Sequence, residues 1–211
     1  MGFMFSFAQY CLGRWCLLKY WDTIPVLNTV HSLKEYRGFT IIQSFSDVLH
    51  VIAISLQYLM SHEVHESVIC YMITDMLFYA DVFRKNWIYL VHHLLSVTLI
   101  CIAIQYDISK DTINFTSFYF EVGLLPIAIL DFMSAYGLLI PMSLYLVRPI
   151  VYSYSRLCII YHHYDNEFFL FLSPLFFHNA YVLCLQIRSL MKHALVWKLQ
   201  QNLKNMINLN E

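Results

Sequence analysis

Seven apolar stretches, each bounded by a short polar or charged segment, take up most of this chain and leave little of it for a soluble fold. They cover residues 3–18, 39–60, 67–83, 87–106, 115–140, 149–161 and 168–187. A run of about 20 predominantly apolar residues is what an α-helix needs to cross the hydrocarbon core of a bilayer. Composition agrees: 59% of the 211 residues are hydrophobic and 13% are charged. Soluble domains are nearer ~45–50% and ~25%. The sequence therefore predicts an all-α, polytopic membrane protein. No repeat or Gly/Ser linker divides it. The first stretch resembles a signal peptide in length, but it lacks a basic leading region and a small-residue cleavage site and it contains Arg14. It reads as an amino-terminal transmembrane anchor (residues 1–20), followed by one membrane domain (21–190) and a cytosolic tail (191–211).

The loops set an orientation. With alternating spans, Lys19, Lys34, Arg37, Arg84, Lys85, Arg148, Arg188, Lys192, Lys198 and Lys204 fall on one side and Lys110 alone on the other, while Arg14 and Arg156 lie within spans. The basic side is expected to be cytosolic, which makes the amino terminus lumenal and the carboxy terminus cytosolic. The sequon at Asn114 falls on the lumenal side, close to a span. The tail carries Leu195, Trp197, Leu199, Leu203 and Met206 among polar residues. It reads either as a short interfacial helix that fades into a disordered end or as a wholly flexible segment.

Net charge is −1, and no basic block with interleaved aromatics is present, so nucleic acid is not an expected partner. The six cysteines are scattered through apolar stretches without a CxxC pair, which predicts neither a disulfide framework nor a zinc site. The loops around His62–His65 and His162–Asp165 share one side and offer zinc-ligand types. Solvated loops commonly have this composition, and the expectation for metal is none.

Function is sought where polar groups sit at membrane depth, because a charge at mid-span costs ~2.5–3.5 kcal/mol. Asp47, Asp75, Glu121 and Asp131 lie within spans, as do His50, His92, His93 and His178. Helical spacing gathers them on faces. Gln43, Ser46, Asp47, His50 and Gln57 form one stripe; Tyr71, Asp75 and Tyr79 form a second. His92 and His93 both approach Ser96. Adjacent histidines differ by about 100° around a helix, so one points into a shared interior while the other flanks it. Ser117 and Glu121 share a face just before Pro126, which is expected to kink its helix. A lone intramembrane histidine is as readily a strut between helices as a functional group, and that reading applies to His50 and His178.

Three segments and one helix together resemble the TLC domain family. These are Asn28-Thr29-Val30-His31-Ser32, then Cys70-Tyr71-Met72-Ile73-Thr74-Asp75-Met76-Leu77, then Trp87-Ile88-Tyr89-Leu90-Val91-His92-His93-Leu94-Leu95-Ser96, followed by Phe120-Glu121-Val122-Gly123-Leu124-Leu125-Pro126. The resemblance covers roughly residues 21–187. It implies a six-span helical bundle around a polar cavity plus one amino-terminal span, usually in the endoplasmic reticulum. It also implies lipid chemistry. In the ceramide synthases of the family a paired histidine transfers a fatty acyl group from acyl-CoA to an amine. Carried over, His92 and His93 are the catalytic pair and Asp75 orients an imidazole. Glu121, Asp131, Ser96, His50 and His31 are the expected substrate contacts. No cofactor is bound on this reading; acyl-CoA is the co-substrate. The chain lacks the His-Asp pair that follows the double histidine in ceramide synthases, and so it looks closer to the small TLC domain-containing proteins. The alternatives to acyl transfer are a non-enzymatic lipid-binding or lipid-regulating role in the same cavity, and a membrane chaperone or cargo receptor. The expected partners are membrane lipids and, in a homodimer, a second copy of the chain.

Overall fold

A computed structural model describes residues 2–23, 35–36, 39–60, 62–80, 87–164 and 168–208. The described residues are dominated by helices: α1 (Gly2–Tyr20), α2 (Ile41–Leu59), α3 (His65–Phe78), α4 (Trp87–Gln105), α5 (Lys110–Val122), α6 (Leu125–Tyr136), α7 (Met142–His163) and α8 (Phe168–Asn208). A 3-10 turn, Trp21–Thr23, ends α1. A two-residue antiparallel ribbon pairs Glu35 with Thr40 and Tyr36 with Phe39 ahead of α2.

The helices pack as a closed ring. α3 lies on α4, α4 on α8, α8 on α7, α7 on α5 and α6, and these two on α2, which meets α3 again. α1 lies outside this ring, chiefly against α3. Polarity is distributed inside-out. Arg14, Asp75, His93, Glu121 and Arg148 are all buried, while Leu139, Tyr161, Phe177, Leu59 and Leu170 are among the most exposed side chains. The division follows helical phase. On α2, Gln43, Ser46 and His50 point inward, and Leu49, Ile52 and Leu56 cover the opposite face. Among the described residues, two helical runs are long and apolar enough to cross a membrane, Trp87–Gln105 and the broken Lys110–Tyr136. Other helices interrupt their apolar runs with inward-facing polar residues, such as Arg14 in α1, Gln43 and His50 in α2, and Arg148 and Arg156 in α7.

The stretch read as one span over 115–140 is two helices. α5 begins earlier, where the Ser109 hydroxyl caps it by accepting from the Thr112 N–H at 3.2 Å. It ends at Val122, and Pro126 sits in the first turn of α6, where a missing N–H does no harm. Arg156 secures the break by donating from Nη1 to the carbonyls of Tyr119 and Phe120, each at 3.1 Å. Both are last-turn carbonyls, and that of Tyr119 also accepts from the Gly123 N–H at 3.3 Å. α6 stops at Gly137, whose φ of 81° is left-handed; Leu138 N–H then reaches back to the Met133 carbonyl at 2.9 Å.

Two further boundaries differ from the sequence reading. The span expected over 149–161 belongs to a helix of 22 residues that starts at Met142. Pro149 suggested a start but lies inside it. Arg148, assigned above to a cytosolic loop, is only 2% exposed on the inner face of α7. The tail is not a separate interfacial helix up to Asn208, because α8 runs unbroken for 41 residues. That is roughly 60 Å at 1.5 Å per residue, or twice the hydrocarbon thickness.

Glycine at position 123 is required by close approach. A Cβ there would lie 2.2 Å from Ser155 Oγ and 3.1 Å from Ser155 Cβ. Gly123→Ala is expected to cost about 1–3 kcal/mol through overpacking, seen as a lower melting temperature in detergent; adding Ser155→Gly should restore much of the loss.

Candidate functional site

A cavity of about 280 Å³ lies within the ring. Its wall takes Asp47 and His50 from α2, Tyr71 from α3, and Tyr89, His92 and His93 from α4. Glu121 comes from α5, Asp131 from α6, Arg148 and Tyr152 from α7, and His178, Gln186 and Ser189 from α8. Helical spacing alone had placed many of these on inward faces. The ring closure brings them to one space.

The deepest element of the site is a chain of charge. Arg14 Nη2 donates to Asp75 Oδ1 at 2.7 Å, and both side chains are almost wholly buried. Asp75 Oδ2 accepts from Gln43 Nε2 at 3.3 Å and lies 3.1 Å from His93 Nε2. His93 Nδ1 donates to the Tyr89 carbonyl at 3.1 Å. A carbonyl only accepts, so Nδ1 is the donor of that bond, and Nε2 faces the Asp75 carboxylate. His93 is thus fixed in place and orientation by Asp75, which Arg14 holds in turn.

His92 differs. Its ring is 5% exposed and lies near His178, with the centroids 5.7 Å apart. Its Nε2 is buried at the cavity wall without a hydrogen-bond partner among the described residues. Of the two expected catalytic histidines, His92 therefore presents the available nitrogen and His93 is its anchored neighbour, at a ring separation of 5.8 Å.

A second chain reaches the cavity from α1. The Tyr10 hydroxyl lies 3.1 Å from His50 Nδ1, and His50 Nε2 lies 3.5 Å from Glu121 Oε2. A tautomer with its proton on Nε2 turns an acceptor to the Tyr10 hydroxyl and its N–H toward Glu121. His50 also stacks on Tyr71, with centroids 3.6 Å apart, and the Tyr71 hydroxyl donates to Asp47. His50 is consequently both strut and wall.

Among the expected substrate contacts, Glu121, Asp131 and His50 line the cavity. Ser96 does not. It lies one turn beyond the histidines and faces a separate space of about 20 Å³ with Ser117, Thr116 and Glu121, room for about one water molecule. Asp75 sits behind the wall rather than in it. His31 lies outside the described residues. The sequence reading missed Tyr10, Arg148, Tyr152, Gln186 and Ser189, and it left Arg14 unpaired. For Arg14 a signal existed: an arginine inside an apolar span demands a carboxylate.

Asp165 lies outside the described residues; among those described, the two loops weighed for zinc do not combine. Glu63, His65 and Glu66 bring ligand atoms within 4.8 Å of one another, and this is the single such cluster among the described residues. The loop at His162–His163 contributes nothing to it, since His163 Nε2 pairs with Thr116 Oγ1 at 2.6 Å. His65 Nδ1 is 2.9 Å from Asn114 Oδ1, which also accepts from the Val64 N–H at 3.0 Å. Lys110 Nζ donates to Glu63 Oε1 at 2.6 Å and holds that carboxyl below its ordinary range.

No family model matches the chain, and no significant match occurs among curated proteins or solved structures.

Two outcomes follow from this electrostatic arrangement. Arg14→Met should destabilise the protein by about 3–5 kcal/mol by leaving a buried carboxylate unpaired; in a double-mutant cycle, Asp75→Asn on that background should cost much less than alone. The Glu63–Lys110 contact should act differently with pH. Its small contribution is complete above the ordinary glutamate range and disappears as pH falls through the lowered folded-state value. A Lys110→Met protein should lose that part of the acid dependence of its melting temperature.

Proposed function

We propose that this chain is a multi-pass membrane protein of the TLC type that acts on membrane lipids, and that its cavity carries acyl-CoA-dependent N-acyl transfer through His92. The observation that carries this reading is the state of His92: a buried imidazole nitrogen without a partner, on the wall of an internal cavity, beside a histidine anchored by a buried Arg–Asp pair. Support for the membrane comes from the inside-out polarity, from the two apolar helical runs and from the one-sided distribution of basic loop residues. A closed helical ring with an added amino-terminal helix agrees with the architecture that the TLC resemblance implies. On this reading the protein resides in the endoplasmic reticulum with its amino terminus lumenal and its carboxy terminus cytosolic.

The chemistry is balanced without a metal or bound cofactor. As the amine of the acceptor attacks the thioester carbonyl, a C–N bond forms and the C–S bond breaks. His92 Nε2 takes the proton that the amine loses and returns it to the departing thiolate. His93 and Asp75 hold the neighbouring helix face in register and set the local charge. Glu121 and Asp131 line the same cavity; on this reading they receive the amine as a cation, and one of these carboxylates takes its first proton, which leaves the free amine that attacks. A close fit of the reacting groups is worth more here than any single contact.

The test compares membranes containing wild type, His92→Ala and His93→Ala proteins, supplied with labelled acyl-CoA and profiled for lipids. Expected is loss of a labelled amide-linked lipid with His92→Ala, and a partial loss with His93→Ala that Asp75→Asn reproduces. Identical lipid profiles from correctly folded variants would overturn acyl transfer and leave the cavity as a lipid-binding pocket.

A further inference from the structure

The share of the cavity wall that α7 and the later part of α8 contribute has no role in the transfer step, and its polar groups are of a different kind. Arg148 is 2% exposed and its Nη2 donates to the Gln186 backbone carbonyl at 3.1 Å. Gln186 is 5% exposed, and both its Nε2 and its Oε1 are buried without a hydrogen-bond partner. Ser189 Oγ is buried in the same condition. All three residues line the cavity. Gln186 and Ser189 are three apart on α8, so they share a face; His178, Val182 and Leu185 continue the same stripe along the wall. A buried amide left unsatisfied is destabilising, and here a whole carboxamide and a hydroxyl are left so in one segment of the cavity wall.

The charge decides which ligand. A guanidinium keeps its charge in any protein environment and suits an oxyanion with several acceptor atoms. The amide N–H and the hydroxyl add two more donors, one for each further oxygen of a tetrahedral anion. Elsewhere the wall carries Asp47, Glu121 and Asp131, which repel an anion. Arg188 and Lys192, on either side of Ser189 in α8, are exposed and add positive charge to that stretch of the helix. The volume, about 280 Å³, is at the lower edge of small-molecule pockets, which span ~300–1,000 Å³. It accommodates a headgroup and the reacting atoms, not a whole lipid.

We infer that Arg148, Gln186 and Ser189 form a subsite for a phosphate-type anionic group on the amphiphile that the cavity takes. The inference rests on the proposal that the cavity binds a lipid or lipid-like substrate. It adds the chemical class of one end of that substrate, and with it a polarity: anion against α7 and α8, cationic amine against Glu121 and Asp131, and His92 available to both. A phosphate of this kind belongs either to a lipid headgroup or to the nucleotide of a coenzyme A thioester.

The test uses the purified full chain in nanodiscs, titrated with a fluorescent long-chain alkyl phosphate, the alkyl alcohol of the same length and free coenzyme A. The alkyl phosphate is expected to bind at least about tenfold more tightly than the alcohol, the scale of one charge-assisted hydrogen bond. Arg148→Gln should bring the two to the same affinity without changing the alcohol. Because Arg148 is buried, Gln186→Leu and Ser189→Ala provide the same reading in proteins that keep the guanidinium; each should weaken the alkyl phosphate selectively. Competition by free coenzyme A assigns the subsite to the nucleotide phosphate, and its failure to compete assigns it to a lipid headgroup. Equal affinities for phosphate and alcohol, or variants that match wild type for both, overturn the subsite. Phosphate-selective binding without any acyl transfer would overturn the proposed reaction and leave the subsite standing. Transfer with an unchanged KM in the Arg148→Gln protein would do the reverse.

Discussion

The ion pair between Arg14 and Asp75 is the interaction on which the interior depends. It joins α1 to α3 at 2.7 Å with both side chains out of contact with solvent. Two isolated charges in that position would each cost several kcal/mol, and only their mutual attraction and further hydrogen bonds offset this. Those bonds exist. Gln43 donates to the second carboxylate oxygen, His93 approaches the same atom, and the rings of Tyr71 and Tyr79 flank the guanidinium at 4.9 Å each. Residues from α1, α2, α3 and α4 thus meet at one carboxylate, and their relative heights are set there.

This arrangement separates the two histidines into different roles although they are adjacent in the chain. His93 is oriented by the carboxylate and by the Tyr89 carbonyl one turn back. His92, rotated by about 100°, misses both partners and keeps a nitrogen available to the cavity. A pair of this kind gains precision from one member and reactivity from the other. The second buried chain, Tyr10 to His50 to Glu121, orients the carboxylate on the other side of the cavity in a similar way. Both chains draw on α1, so the amino-terminal helix is a structural part of the site.

The break between α5 and α6 serves the same interior. Pro126 and Gly123 end one helix and begin another just after Glu121, and Arg156 adds hydrogen bonds to two carbonyls at the interruption, those of Tyr119 and Phe120. At that point the chain trades regular helix for a close approach of α5 to α7. A buried carbonyl at such a break needs a partner, and a buried arginine is well suited to bond two at once.

Much of this organisation is legible in the residues themselves. Helix content follows from the length and apolarity of the stretches. The inward faces follow from period: Tyr71, Asp75 and Tyr79 at steps of four are all buried, as are Ser117 and Glu121. So does the presence of an interior polar cluster, since charges at that depth have no other stable position. What spacing within one helix does not encode is which helices become neighbours. The partner of Arg14, 61 residues away, was therefore not legible, nor was the inward turn of Arg148, whose neighbouring proline resembles a boundary. Ser96 was placed on the correct face but at the wrong depth, because a helical face is a stripe and a cavity ends partway along it. The sequence by itself determined the inside-out chemistry and the pool of groups available for function. Tertiary structure alone decided which of two adjacent histidines keeps a free nitrogen, because that depends on where a carboxylate from another helix comes to rest.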